Sequence, residues 1–115
     1  MDYMRMRAYG LHDTDMISLK SILALSSSAL NHDWKMVESG QAELHIYSLA
    51  TTEGKVAWQR HTQGFNAILS SQPAHDQSIN FILKKPLRAR NFIAILNEVA
   101  EKITRSEQKG LKTNK

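Results

Sequence analysis

Residues 4–11, MRMRAYGL, alternate apolar and basic side chains before turning apolar, the period-two signature of a strand that reaches the interior near its end. The next stretch, HDTDMISLKSILALSSSAL, places Met16, Ile17, Leu19, Ile22, Leu23, Leu25 and Leu30 at helical intervals behind the N-cap candidates Asp13, Thr14 and Asp15. This predicts a helix over about 15–30. Trp34 to Val37 reads as a short strand closed by a Ser-Gly turn, and AELHIYSL, residues 42–49, is apolar enough for a buried one. TTEGKVAWQRHTQ offers a threonine cap and a short, interrupted helix ended by Gly64. FNAILSS is a further strand. INFILK, residues 79–84, is another, and it runs into Pro86, which has no amide donor and restricts the residue before it. From Arg88, the positions Phe92, Ile95, Leu96, Val99 and Ile103 form one apolar stripe, so the last helix is expected to reach about residue 104.

Strands alternating with helices imply parallel pairing, because each helix serves as a right-handed crossover between strands of one sheet. The expected class is therefore α/β, three-layered, with a mostly parallel five-stranded sheet. Only ESGQ separates the second and third strands, and SQPAHDQS the fourth and fifth, so both connections are too short for the helices such a fold usually carries.

Composition narrows this picture without redirecting it. With 115 residues, 42% hydrophobic and 23% charged, the chain is expected to make one globular domain, and no second domain fits. There is no cysteine, which removes disulfides and thiolate metal sites. No window approaches the roughly 18 apolar residues of a membrane span, and the first residues lack the apolar core of a signal peptide. The expectation is a cytoplasmic protein. The net charge of +4 is localised: residues 102–115 hold five basic residues against Glu107. Residues 1–104 are thus the expected domain and 105–115 a basic flexible tail. Within the domain, basicity is concentrated in Lys84, Lys85, Arg88 and Arg90.

A strand ending in Lys-Pro-Leu and passing at once into the last amphipathic helix, FILKKPLRARNFIAIL, resembles the final unit of a bacterial response-regulator receiver domain. AELHIYS is similar to that family's third strand and NAILSS to its fourth, which ends in a serine or threonine. The resemblance spans roughly residues 5–104 and implies a CheY-like, flavodoxin-like fold. It also implies a pocket in which Lys85 and the Ser70 hydroxyl flank a phosphoryl acceptor at the end of the third strand. Here the acceptor position is Ser48. An aspartate takes phosphate in that family because Mg²⁺, held by further carboxylates after the first strand, neutralises developing charge. In this chain Gly10 and Leu11 fall near the expected acidic pair, and Asp13 lies slightly beyond. The resemblance therefore implies a pseudo-receiver, a signalling protein that keeps the scaffold without aspartyl phosphorylation and acts on a protein partner or as a homodimer.

The basic segment has a second reading. Arg88 and Arg90 open a helix, where free amides add to their charge, and closely spaced arginines suit a phosphate or a guanine edge. A cyclic dinucleotide such as cyclic di-GMP is the alternative partner, with Lys84, Lys85, Arg88 and Arg90 as its contacts. Cations at a helix start are unfavourable by about 0.3–1 kcal/mol each unless partnered. Nucleic-acid binding through the tail is a weaker option. The five histidines show no i, i+3 or i, i+4 pair, so no metal is expected, and His45 reads as a satisfied polar group on a central strand. The serines at 26–28 lack the glycines of a nucleophile elbow, and no Gly-rich phosphate loop occurs. No cofactor and no enzymatic activity are expected. Trp34 and Trp58 are assigned to packing.

Overall fold

The structure, a computed structural model, describes residues 3–61, 64–70, 79–85 and 87–113, with side chains to residue 105. Five strands, β1 (Met4–Tyr9), β2 (Trp34–Met36), β3 (Leu44–Ser48), β4 (Phe65–Ser70) and β5 (Phe81–Lys84), form one sheet in the order β2-β1-β3-β4-β5, and every pairing is parallel. The expected α/β class and parallel sheet are thus present, with the strand order of flavodoxin-like proteins. Three helices complete the fold: α1 (Asp13–Leu25), α2 (Thr52–Gln59) and α3 (Ala89–Thr113).

Strand order decides which face each helix covers. The β1-to-β2 step runs in one direction along the sheet and the β3-to-β4 step in the other, so right-handed crossovers put α1 and α2 on opposite faces. α3 returns to the face of α1. Met6, Leu44, Ile46, Ala67, Leu69 and Leu83 point there and enclose a dry core with Leu19 of α1 and Phe92, Leu96 and Val99 of α3. The alternate strand positions, including Arg5, Arg7, Tyr9, His45, Tyr47 and Ile68, face α2.

Several boundaries differ from those the pattern predicts. α1 starts at Asp13, with His12 as N-cap and no side-chain cap, and stops at Leu25, where the serine run forms a 3-10 turn at Ser27–Ala29. Serine hydroxyls compete for backbone hydrogen bonds and favour such local turns over helix. The apolar positions of α1 do not make a single buried stripe: Ile17 and Leu25 are 64% and 85% exposed. β2 closes at Met36 rather than Val37, although the Val37 amide still donates to the Met6 carbonyl. α2 ends at Gln59 with Arg60 as C-cap, so Gly64, at φ 81°, turns the chain into β4 instead of terminating the helix.

α3 continues through Thr113, past the stop placed near residue 104. The apolar stripe does end at Ile103, but Glu98 with Lys102 and Glu101 with Arg105 form i, i+4 ion pairs that favour helix without burial. The β2–β3 connection, residues 37–43, contains no helix, as its length implies. The β4–β5 connection, residues 71–78, lies outside the described residues. No helix among the described residues is long and apolar enough to cross a membrane.

Candidate functional site

In doubly wound sheets, ligands sit beyond the carboxyl ends of the strands where the strand order reverses, here between β1 and β3. That crevice is filled by backbone. The Thr51 hydroxyl donates to the Gly10 carbonyl at 2.9 Å and accepts from the Gly54 amide at 3.1 Å, capping α2. Gly10, at φ 71°, allows this approach: a Cβ there would lie 2.3 Å from Thr51 Oγ1. Gly54 is buried, and a Cβ on it would lie 1.7 Å from the Ser48 carbonyl oxygen. Only glycine fits at either position.

The residues expected to form the receiver-like pocket are therefore placed as follows. Ser48 ends β3, fully buried on the core face, and its hydroxyl has a long 3.4 Å contact from the Ala50 amide. Lys85 follows β5 on the same face, and its Nζ lies 2.8 Å from Asp15 Oδ2 in the first turn of α1. Asp15 Oδ2 is buried and makes no aligned hydrogen bond, so this ion pair is what compensates its charge. Ser70 pairs with Lys84 in the ladder, and strand alternation sends its side chain to the α2 face, away from Ser48 and Lys85. Its carbonyl accepts from the Lys85 amide at 3.1 Å. Asp13 is exposed.

The basic segment divides in the same way. Lys84, Arg88 and Arg90 are exposed and form no ion pair among the described residues, whereas Lys85 is committed to Asp15. Arg88 precedes the first turn of α3, its carbonyl accepting from the Phe92 amide at 3.1 Å.

A different constellation lies on the α2 face and was not anticipated as a site. Tyr9 and Tyr47 are register partners on β1 and β3, and their rings stack with centroids 4.8 Å apart at 12°. His45 stacks on Tyr9, and Trp58 of α2 stacks on His61. Each tyrosine is tied to a histidine. The Tyr47 hydroxyl is 2.7 Å from His61 Nδ1, and His61 Nε2 is 3.2 Å from the Gly64 carbonyl. A carbonyl can only accept, so Nε2 carries a proton, and in the neutral imidazole Nδ1 accepts from the phenol. Tyr9 makes the same bond to His45 Nδ1 at 2.9 Å.

Burial pushes the Tyr9 and Tyr47 phenols up from their ordinary value and, aided by the charge of His61, pushes the His45 imidazole below 6.5. His45 is therefore neutral near pH 7, a half-buried and hydrogen-bonded group as its strand position implied. Trp58 meets Tyr47 edge to face at 5.4 Å, and Trp34 is buried in the core, so both tryptophans pack. Beside the rings runs a groove of about 870 Å³, bounded by α2, by the Gly40–Glu43 turn and by the Gly64 turn. At its floor, burial alone would raise the Glu43 carboxyl, but hydrogen bonds from the Arg5 side chain, at 2.9 Å, and the Arg5 amide, at 2.7 Å, hold it below 4.5.

No protein-family model matches this chain, and no curated protein matches it. The groove escaped sequence reading because its residues come from three strands, two helices and the turns between them. The available signal was the off-phase of two alternating segments, Arg7 and Tyr9 in MRMRAY and His45 and Tyr47 in LHIYS, where aromatic and imidazole rings occupy the positions opposite the core.

Proposed function

We propose that the protein is a non-enzymatic regulatory module of receiver-like build that works through protein–protein contact and does not accept an aspartyl phosphate. The carrying observation is the closed strand-end crevice: a buried serine stands where an acceptor carboxylate would be required, backbone fills the space above it, and Lys85 is neutralised by Asp15. An anion would have to displace that ion pair to reach the lysine. Lys84 at the end of β5 and Arg88 and Arg90 at the start of α3, exposed and without an ion pair among the described residues, support an acidic protein surface as the partner of this edge.

Incubation with a small phosphodonor and Mg²⁺, followed by intact mass, is expected to show an unchanged protein. Gain of one phosphoryl group would overturn the reading. The same three cations support cyclic di-GMP binding as a second reading. Calorimetric titration decides it: binding lost on Arg88→Ala favours the dinucleotide, and no heat at high micromolar ligand retires it.

A further inference from the structure

The groove on the α2 face has the properties of a prepared small-molecule site. Its volume of about 870 Å³ lies within the roughly 300–1,000 Å³ usual for ligand pockets. Its walls are held before any ligand arrives. Two phenols donate to two imidazoles, and the His61 imidazole is anchored to a backbone carbonyl, so the rings cannot swing freely. Gly64 completes the wall at φ 81°, and a Cβ there would come within 3.2 Å of His45 Cδ2 and of the Ala42 carbonyl. On the opposite wall α2 turns Val56 into the groove, 40% exposed, an apolar surface with no protein partner over it.

The charges around the groove do not cancel. Glu43 is consumed by Arg5. Glu53 stands in the first turn of α2 and Arg60 at its C-cap, where the helix dipole favours an anion and a cation respectively, so these two offset each other. Arg7 is left over. Its guanidinium lies 5.0 Å above the Tyr9 ring and makes a long 3.4 Å contact to the Gly40 carbonyl, and it has no ion pair among the described residues. Its field reaches the rings: it offsets part of the rise that burial gives the Tyr9 and Tyr47 phenols and adds to the lowering that burial gives the His45 imidazole. The walls thus offer ring and Val56 surface, and Arg7 adds a positive charge at the rim, against the lining residues Tyr9 and Gly40.

We propose that this groove binds a small planar aromatic anion, an aromatic carboxylate in the first instance, with the ring system between Val56 and the Tyr9–His45 wall and the carboxylate directed to Arg7 at the rim. The proposal is independent of the receiver-like reading, since it uses none of the strand-end residues.

The test is a ¹H–¹⁵N titration of the full chain with 2-naphthoate and, separately, with the uncharged 2-naphthylmethanol. Saturable shifts centred on Gly40, His45, Val56 and Gly64 are expected, with naphthoate binding about tenfold tighter at low salt, the equivalent of one charge-assisted contact. Arg7→Gln is expected to erase the difference between acid and alcohol, and Val56→Asp to abolish binding of both while the spectrum remains dispersed. Absence of saturation at millimolar naphthoate, shifts centred elsewhere, equal affinity for acid and alcohol in the unaltered protein, or undiminished binding by Val56→Asp would each overturn it.

Discussion

The two faces of this sheet are built from the same strands and obey different physics. Toward α1 and α3, the strands present Met6, Leu44, Ile46, Ala67, Leu69 and Leu83, all fully or almost fully buried. That face is held by apolar area removed from water, which has no direction and tolerates no void. Toward α2 they present arginines, tyrosines and a histidine, covered by one helix of eight residues. That face is held by directed bonds: Tyr9 to His45, Tyr47 to His61, Arg5 to Glu43. A closed face can only fail by losing volume, whereas an open one can titrate and admit a ligand.

The largest effect should come from the closed face. Phe92→Ala is expected to lower the unfolding free energy by about 3–5 kcal/mol in urea melts, because the ring is fully buried among strands and helix. Gly54→Ala should cost about 3 kcal/mol, since its methyl group must displace the Ser48 carbonyl or unseat α2. Full stability in that variant would mean the strand-end crevice is looser than described. On the open face, Tyr47→Phe removes the donor to His61 Nδ1 and should cost about 1 kcal/mol, with a changed ¹⁵N shift at His61.

Acid should expose the same asymmetry. The His45 imidazole has a lowered proton affinity in the fold, so the unfolded chain binds a proton that the folded protein refuses. Stability is therefore expected to fall as pH drops below 6.5, with a slope under about 1.4 kcal/mol per pH unit, and His45→Phe should flatten this limb. A second decline below 4.5 belongs to Glu43, whose carboxyl must be protonated away from Arg5, and Glu43→Gln should remove it. The smallest effect is assigned to Val56→Ala, within about 0.5 kcal/mol of the unaltered protein. A loss there comparable with Phe92→Ala would erase the distinction between the faces.

The closed face was the legible one. Alternation in MRMRAY and LHIYS and the 92–103 stripe depend on core burial, and burial leaves a period in the sequence. Lengths were less legible: the serines after Leu25 convert a helix into a turn, and α3 runs on past Ile103, the last position of its stripe, where no apolar period records it. The strand-end residues were individually visible, but their orientations follow from register. Ser70 and Lys85 read as neighbours in a pocket, yet one position of phase puts them on opposite faces. The partner of Lys85 is Asp15 on α1, a residue distant in the chain, in a contact set by the crossover. The groove was least legible because directed bonds between Tyr9, His45, Tyr47 and His61 impose no spacing on the chain.

The outermost strands are brief. β2 has three residues and β5 four, and each carries an exposed lysine, Lys35 and Lys84, on the side away from the core. A strand arriving from another molecule would gain only a few amide bonds there and would have to strip water from an ammonium group. The sheet is thus terminated at both rims, and edge-to-edge growth into fibrils is disfavoured even though its interior strands are rich in isoleucine, leucine and phenylalanine.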